Sequence, residues 1–287
     1  MKTKAFLLHA LSPLHAGTGH AVGVIDLPTA RMKATGIPIV PGSSIKGVLR
    51  DARRAIDGDK TEAVFGPSED PAAHAGALVV SDARLLALPV RSFRGAFAWI
   101  TSPLLLTLAK RDLDEPSLGV PSIRGRAACV ASENVCVHER KLYLEDLDLD
   151  ATVAPEATEW ARRLAPLVSP GNDIFTKRFA IVDDDTMAFL WETATQVDAR
   201  VRLDERTRTV APGALWLEES LPPESLLVGI LAADRSRRRG VVMTPEQVLD
   251  YALGGEEIHQ FGGKATTGRG RCRIVPIPRQ EAAHGHG

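Results

Sequence analysis

The chain has 287 residues, of which 44% are apolar, and its formal net charge is −1 at pH 7. This length suits one large domain or two small ones, and the near-neutral charge argues against a protein that grips nucleic acid over its whole surface. The longest apolar run, residues 226–233, is too short to span a bilayer, and the first residues lead into a strand-like segment, so we expect a cytoplasmic protein. The three cysteines lack zinc-ligand spacing, so neither a disulfide framework nor a structural zinc site is expected.

The N-terminal segment is predicted to begin with a central strand and to continue into loops. Residues 4–11 form a continuous apolar run that ends at Ser12 and Pro13. Glycines and prolines between residues 12 and 38 exclude a long helix, so Asp26 is expected on a loop or a strand edge. A carboxylate there either makes a turn by binding local backbone amides or is presented for catalysis, and the local sequence by itself favours the turn.

Residues 41–54 predict a helix with an anion site at its N-terminus. Apolar residues at positions 45, 48, 49 and 52 share one helical face, and Ser43 or Ser44 can cap the first turn. Free backbone amides, two hydroxyls and Lys46 would then surround an anion. An ordinary capped helix with a solvated lysine is the alternative. Arg50 belongs to the first of several arginine clusters, which are typical either of a basic stripe or of solvated surface.

Residues 260–271 form a glycine-rich loop that suits a phosphate. Its glycines let the backbone approach an anion closely, and its lysine, threonines and arginine supply polar and cationic groups. The spacing fits neither a Walker A loop nor a dinucleotide-binding fingerprint, and the loop precedes a strand at residues 272–277. A glycine-rich hairpin is therefore the alternative. The residues that would bind phosphate are Gly262, Gly263, Lys264, Thr267 and Arg269.

Residues 196–217 predict a β-hairpin with a basic arm. Residues 196–204 alternate with period two, residues 205–209 form a polar tip, and the chain returns from residue 210. Arg200 and Arg202, with two further arginines at the tip, suit a nucleic-acid arm better than a solvated edge.

Residues 183–185 are three consecutive aspartates, which resemble a metal cluster. Consecutive side chains point in different directions on any regular element, so they would not converge on one ion. Placed before an apolar segment, they favour a helix cap instead.

The order of several short motifs resembles the RAMP superfamily of CRISPR effector subunits. The N-terminal motifs are His15-Ala16-Gly17-Thr18-Gly19, Ile25-Asp26-Leu27-Pro28, and Pro41 to Gly47, and the glycine-rich loop follows late in the chain. Pro89-Val90-Arg91-Ser92 and Gly213-Ala214-Leu215-Trp216 with Glu218 and Glu219 are similar to the backbone subunit of the type III-B, or Cmr, complex. The resemblance runs from residue 6 to about residue 276.

The resemblance implies an α+β fold: one ferredoxin-like (RRM-type) palm with large insertions over residues 1–287, a hairpin thumb near residues 196–217, and a flexible tail near residues 280–287. Its implied partners are guide RNA, complementary target RNA, further copies of the chain in a filament, and other effector subunits. The thumb of each copy would displace a base pair of the guide–target duplex. With only 5% aromatic residues, the wedge is expected to be aliphatic.

The resemblance also implies an endoribonuclease that uses a divalent metal, with Mg²⁺ expected. Asp26 matches the position of the family's catalytic aspartate, and His15, Lys46, Glu218 and Glu219 match positions linked to RNA handling. Such an aspartate could orient the 2′-hydroxyl, act as general base, or hold hydrated Mg²⁺. Because an ordinary aspartate is a weak base at neutral pH, positioning or metal contact is favoured.

Two other functions stay open at this point. Some members of the family bind RNA as a scaffold and do not cut it, in which case Asp26 would be a turn residue. A small-molecule nucleotide-binding enzyme is disfavoured by the spacing of the glycine-rich loop.

Overall fold

The computed structural model describes residues 1–17, 25–67, 74–204 and 206–279, so the predicted tail at 280–287 lies outside the described residues. Two short 3-10 turns occupy Thr176–Arg178 and Ala265–Thr267. The helices are α1 (Gly42–Arg54), α2 (Gly58–Phe65), α3 (Pro103–Leu113), α4 (Pro155–Val168), α5 (Asp184–Thr193) and α6 (Pro245–Ala252). The strands are β1 (Lys2–Ala10), β2 (Ile39–Val40), β3 (Leu78–Val80), β4 (Ala83–Arg91), β5 (Phe97–Thr101), β6 (Ala127–Val130), β7 (Val137–His138), β8 (Lys141–Leu144), β9 (Leu147–Val153), β10 (Phe179–Val182), β11 (Gln196–Leu203), β12 (Val210–Ser220), β13 (Leu226–Ala233), β14 (Glu257–Gln260) and β15 (Arg271–Pro276).

Four strands and two helices form a ferredoxin-like palm. In chain order they are β1, α1, β4, β13, α6 and β15, and the strands lie side by side in the order β15, β1, β13, β4. β1 pairs antiparallel with β13 and with β15, and β13 pairs antiparallel with β4. This split βαβ arrangement confirms the predicted α+β fold.

Two insertions enlarge the palm. Residues 11–41 lie between β1 and α1 and carry Asp26, and residues 92–225 lie between β4 and β13 and carry α3 to α5 and β5 to β12. β5 pairs antiparallel with β4 and continues the palm into a 13-stranded sheet. β11 and β12 lie outside this sheet and pair with each other as a separate two-stranded sheet.

Side chains cover both faces of the central palm strand. Phe6 and Leu8 belong to the apolar core that α1 and α6 complete, and Leu7 belongs to a second core with Trp160 of α4. Because both faces are buried, β1 reads as an uninterrupted apolar run, as predicted. The face of the palm that lies opposite α1 is therefore covered by the insertion. A nucleic acid would have to contact loops, edges or the hairpin.

The consecutive aspartates cap α5, as predicted. Asp183 accepts a hydrogen bond from the amide of Thr186 at 3.0 Å. Asp184 accepts one from the amide of Leu104 at 2.8 Å and so links the starts of α5 and α3. Both carboxylates accept hydrogen bonds at helix N-termini, where the exposed backbone amides favour negative charge.

The cysteines form no disulfide framework. All three cysteines are free, and burial raises the pKa of the Cys272 thiol to about 12, which keeps it unreactive. Within the described ranges, no helix is long and apolar enough to cross a membrane.

Candidate nucleic-acid interface

β11 and β12 form a hairpin with two chemically different faces. On one face Asp198 pairs with Glu218 and Arg200 pairs with Trp216. On the other face Ala199 pairs with Leu217 and Val201 pairs with Leu215, so alternation puts most charged and most aliphatic residues on opposite sides. The predicted hairpin is confirmed, although β12 runs to Ser220, beyond the predicted end at residue 217. The aliphatic face is 47–64% exposed at Val197, Val201, Leu203, Val210 and Leu215.

Asp26 lies on an exposed loop that is bonded to the base of this hairpin. Its Oδ2 accepts a hydrogen bond from the backbone amide of Leu217 at 2.8 Å. The neighbouring Leu27 exchanges backbone hydrogen bonds with Leu217 and Glu219, at 3.1 and 3.0 Å. The observed partner of the carboxylate is therefore an amide distant in the chain, not one of the local amides that a turn-making aspartate would bind. The other oxygen, Oδ1, has no hydrogen-bond partner among the described residues.

His15 is buried and joins the hairpin base to the glycine-rich loop. Its Nδ1 lies 2.7 Å from the carbonyl oxygen of Glu219, and because a carbonyl only accepts, Nδ1 carries the proton. In the neutral ring, Nε2 is then the acceptor. A Cβ atom at Gly17 would lie 2.7 Å from Nε2, so glycine is needed there. The carbonyl of His15 accepts from the amide of Gly263 at 3.1 Å.

The glycine-rich loop connects β14 to β15, which pair antiparallel, so the hairpin alternative describes its backbone. Gly262 has a φ of +70°, and a Cβ atom there would lie 2.1 Å from the carbonyl oxygen of His15. The loop thus packs directly on the segment that carries His15, and its glycines serve this close approach. Lys264 and Thr267 are exposed on its outer side.

Glu218 is a buried carboxylate surrounded by three cations. Its side chain is 1% exposed, and its oxygens lie 3.6 Å from Arg269 Nε, 3.7 Å from Lys264 Nζ and 3.9 Å from Arg200 Nε. Neither oxygen has a hydrogen-bond partner among the residues that the structure describes. All three cations are attracted to this one negative charge, but only Arg200 and Lys264 are also open to solvent, at 34% and 39% exposure. Lys264 is 39% exposed and also lies 5.9 Å from the ring centre of Trp216.

The Arg269 side chain does not lie where a phosphate contact was predicted. Its side chain is only 7% exposed, forms an ion pair with Asp198 and donates to Ser220 Oγ at 2.6 Å. The Arg269 guanidinium holds the pKa of the Asp198 carboxyl below its ordinary value. The predicted phosphate contact of Arg269 is therefore corrected: the buried guanidinium ties the glycine-rich loop to the hairpin base. Arg202 and Lys264 are exposed, and both remain predicted phosphate contacts.

The second predicted anion site, at the start of α1, also needs correction. Pro41 is the N-cap residue, no side chain caps the helix from that position, and Ser43 and Ser44 are exposed within the first turn. The amide of Gly42 instead donates to the carboxylate of Asp82 at 2.8 Å. A negative charge already occupies the place where an anion was expected.

Lys46 and Arg50 remain on α1 as half-buried cations. Partial burial, with a smaller effect of Arg50, lowers the pKa of the Lys46 ammonium. Its Nζ donates to the carbonyl of Leu78 at 3.4 Å. α1 packs against α2, β3 and α6, so these two residues form a group separate from the hairpin base.

Several residues of the interface could not be found from the sequence. Arg31 donates to Glu219 Oε1 at 2.7 Å, while the amide of Thr29 donates to Glu219 Oε2 at 2.8 Å, so Glu219 anchors the loop that follows Asp26. Leu217 contributes its backbone amide and Asp198 its carboxylate. No local motif signals these contacts, because each joins segments that are far apart in the chain.

A divalent metal at Asp26 would need most of its ligands from water and substrate. Within the described part of the chain, no three His, Cys, Asp or Glu side chains converge to form a metal cage. Mg²⁺ commonly keeps several waters and takes one or two carboxylates together with substrate phosphates. Asp26, exposed and with Oδ1 unbonded by described residues, fits this kind of site, whereas an all-protein cage does not fit.

Comparison with known proteins places this geometry in context. A family model described as the RAMP superfamily matches residues 7–273. The CRISPR system Cmr endoribonuclease Cmr4 of Pyrococcus furiosus is 34% identical over an alignment of 287 positions that covers 95% of each protein. A crystal structure of oligomeric Cmr4 from Pyrococcus furiosus superposes with a TM-score of 0.74 and 25% identity, over 98% of this chain and 100% of that one. A chain of the type III-B Cmr-beta complex bound to cognate target RNA gives a TM-score of 0.75 at 21% identity, over 96% and 98% of the two chains, and supports the fold alone.

Proposed function

The chain belongs to the RAMP superfamily, and from this membership and the geometry of its hairpin base we propose that it is a repeated backbone subunit of a type III-B CRISPR effector complex. In this role it binds guide RNA and cleaves complementary target RNA at regular intervals. The observation that carries the proposal is the Asp26 carboxylate, which is exposed on a loop and bonded to the Leu217 amide beside an exposed hairpin. The 34% identical relative is named an endoribonuclease, which supports the same activity.

RNA binding rests on two groups of cations. Lys264 and Arg200 lie over the buried Glu218, and Arg202 extends the group along the hairpin. Lys46 and Arg50 form the second group on α1. Lysine and arginine neutralise phosphates without regard to base sequence, which suits a subunit that must accept any guide.

The hairpin is the element that separates one cleavage site from the next. Its exposed aliphatic face offers side chains such as Val201 and Leu215 that can replace a stacked base, and its other face offers arginines for the backbone. Asp26 lies at the base of the hairpin, so a strand displaced by the hairpin would present its sugar and phosphate to that carboxylate. Each copy of the subunit in a filament on guide RNA would then contribute one cut.

In the cleavage step a ribose 2′-oxygen attacks the adjacent phosphorus and its proton passes to solvent. A 2′,3′-cyclic phosphate forms while the bond from phosphorus to the 5′-oxygen of the next nucleotide breaks, and that oxygen leaves and takes up a proton. Asp26 positions the hydroxyl through Oδ1, to which no described residue is bonded, and the Leu217 amide keeps the carboxylate in place. His15 is a positioning residue, because its buried ring holds the Glu219 carbonyl and its own carbonyl holds the Gly263 amide. Mg²⁺, when bound through Asp26, supplies positive charge that stabilises the phosphate in the transition state.

The proposed partners are guide RNA, target RNA, further copies of the chain and the other effector subunits, all in the cytoplasm. The test is to purify the complex, determine whether it carries RNA of defined length, and add complementary target RNA with Mg²⁺ or with a chelator. We expect a ladder of target fragments with constant spacing, formed only with the metal. Target binding without any fragments would instead support the scaffold alternative, and absence of bound RNA at low salt would exclude both.

A further inference from the structure

The turn between β4 and β5 presents an aromatic side chain to solvent. Phe93 is 82% exposed, whereas Phe189, the next most exposed phenylalanine, is 52% exposed. A single exposed apolar side chain is common on protein surfaces, so the surroundings of Phe93 decide what its exposure means.

Hydrogen bonds hold this turn in a fixed place. The amide of Phe93 donates to the carbonyl of Tyr143 at 3.3 Å, and Arg178 Nε donates to the carbonyl of Gly95 at 3.1 Å. Ala96 has a φ of +71°, which is unfavourable for a residue with a side chain and persists only where the surrounding structure imposes it. Because the backbone is fixed before any ligand arrives, little freedom is lost when the ring binds one.

Aromatic and cationic side chains accompany the ring. Tyr143 meets Phe93 in an edge-on arrangement, with ring centres 6.2 Å apart and an angle of 68° between the planes. Arg91 and Arg94 lie on either side of Phe93 in the chain, are exposed, and form no ion pair with another described residue. Glu145 lies on the adjoining turn, where its amide donates to the Arg91 carbonyl at 3.0 Å, and its charge offsets part of theirs. A ligand would therefore be recognised by the ring together with the arginines, and not by net charge alone.

The turn lies at the edge of the palm that carries the candidate interface. β1 and β4 both run antiparallel to β13, so their C-terminal ends lie at the same edge. The loop with Asp26 follows the end of β1, and the hairpin leads into the start of β13 at that edge. Only β13 separates β1 from β4, so these two strands lie about 10 Å apart across the sheet. An RNA strand bound along this edge would run past Phe93 as well as past Asp26.

We propose that Phe93 stacks on an unpaired base of single-stranded RNA that runs along this edge, an inference that rests on the proposed function. Every nucleobase can stack on an aromatic ring, which suits a subunit that accepts any guide sequence. Arg91 and Arg94 bind the phosphates on either side of the stacked base. The site is separate from the hairpin, whose exposed apolar side chains are aliphatic. Guide and target RNA both offer unpaired bases, and the experiment tests each of them.

The first test measures RNA affinity for Phe93→Ala, Phe93→Trp and the matched control Phe189→Ala, which removes an exposed phenylalanine from α5. One arm measures binding of the full-length subunit to guide RNA. The other arm measures binding of the guide-loaded complex to target RNA. All three variants should unfold near the wild-type temperature, because both phenylalanine rings are exposed.

We expect Phe93→Ala to weaken binding by about fivefold or more in at least one arm, since that is the smallest usual loss when an aromatic ring is removed from a stacked base. Phe93→Trp should bind like the wild type because an indole ring also stacks, and Phe189→Ala should bind like the wild type because it leaves the site intact. Wild-type affinity of Phe93→Ala in both arms overturns the inference. If that variant also fails to join the other subunits, the turn is a protein contact instead.

The second test locates the base by crosslinking. The uridines of the guide RNA or of the target RNA are replaced by 4-thiouridine, the wild-type complex is irradiated, and mass spectrometry of its peptides detects a nucleotide bound to Phe93. An adduct from one of the two RNAs identifies the source of the base, and absence of the adduct from both overturns the inference. A wild-type complex that fails to bind or cut target RNA overturns the proposed function itself, a result distinct from any outcome at Phe93.

Discussion

The carboxylate of Asp26 accepts a hydrogen bond of 2.8 Å from the backbone amide of Leu217, a residue 191 positions later in the chain. The bond joins the loop that would carry out cleavage to β12, the second strand of the hairpin. Glu219, two residues further along that strand, bonds His15 through its carbonyl and Thr29 through its carboxylate. Any change in the angle of the hairpin base would therefore move Asp26.

Asp26→Asn should abolish visible cleavage without changing target affinity. A positioning or acid–base group contributes roughly 10²- to 10⁴-fold in rate, and the asparagine amide oxygen can still accept from Leu217, so the loop should stay in place. Single-turnover cleavage and target binding by the assembled complex are the measurements. Asp148→Asn, at an exposed aspartate of β9, is the control and should cut normally. Cleavage by Asp26→Asn at the wild-type rate would refute the catalytic assignment.

Lys264→Ala and Lys46→Ala should each weaken guide RNA binding and lower its salt dependence by about one charge equivalent. The reason is that each removes one phosphate contact that carries no sequence information. Guide affinity measured against salt concentration gives the slope for each variant. Lys141→Ala, at an exposed lysine paired with Asp150, should keep the wild-type slope. Unchanged slopes for the first two variants would exclude these contacts.

Arg269→Ala should destabilise the protein by about 3–5 kcal/mol, because it leaves Asp198 and the buried Glu218 without this cation. Arg269 holds the pKa of Asp198 below its ordinary value of 3.8, so the pair stabilises the fold above that pH and ceases to do so as pH falls through the lowered pKa. The difference in unfolding free energy between the wild type and the variant should therefore become smaller at acidic pH.

Urea unfolding of the wild type and Arg269→Ala between pH 3 and pH 7 measures this difference. Arg124→Ala, at an exposed arginine, is the control and should match the wild type throughout. A variant as stable as the wild type at neutral pH would return Arg269 to the set of candidate phosphate contacts.

Replacing residues 199–213 by a short glycine–serine turn should leave the palm folded and remove the regular fragment ladder. The replacement retains Asp198 and residues 216–220, so the bonds of the hairpin base to Arg269 and Asp26 stay intact. What it removes is the basic tip and most of the exposed aliphatic face, namely Val201, Leu203 and Val210, which would displace the target strand. Thermal unfolding and gel analysis of target fragments are the readouts. A folded, assembled variant that still makes the wild-type ladder would disprove the thumb role.

Gly262→Ala should destabilise the fold by at least about 1 kcal/mol and reduce cleavage. Its φ of +70° is unfavourable for alanine, and the added Cβ atom would lie 2.1 Å from the His15 carbonyl oxygen. Gly47→Ala, on the exposed side of α1 with no atom within 4 Å of the added Cβ, should instead stabilise the fold by about 0.5–1 kcal/mol. Equal unfolding temperatures for the two variants would contradict the close approach of the loop to His15.

The sequence by itself determined those features that depend on neighbouring residues. The apolar run of β1, the aspartate cap of α5 and the alternating hairpin at β11 and β12 follow from periodicity and short-range hydrogen bonding, and each was predicted near its observed bounds. The order of motifs along the chain also indicated the family, although no single motif was specific.

Only the tertiary structure decided how the candidate site is built. Ser43 and Ser44 were predicted to cap α1, but the carboxylate that binds its start belongs to Asp82, 40 residues after Gly42. Arg269 resembled a phosphate ligand in its glycine-rich context, yet folding places it on Asp198 and Glu218. The physical reason is that a buried charge or polar group must find its partner wherever the chain brings one. Such pairings span tens to hundreds of residues and leave no periodic trace in the sequence.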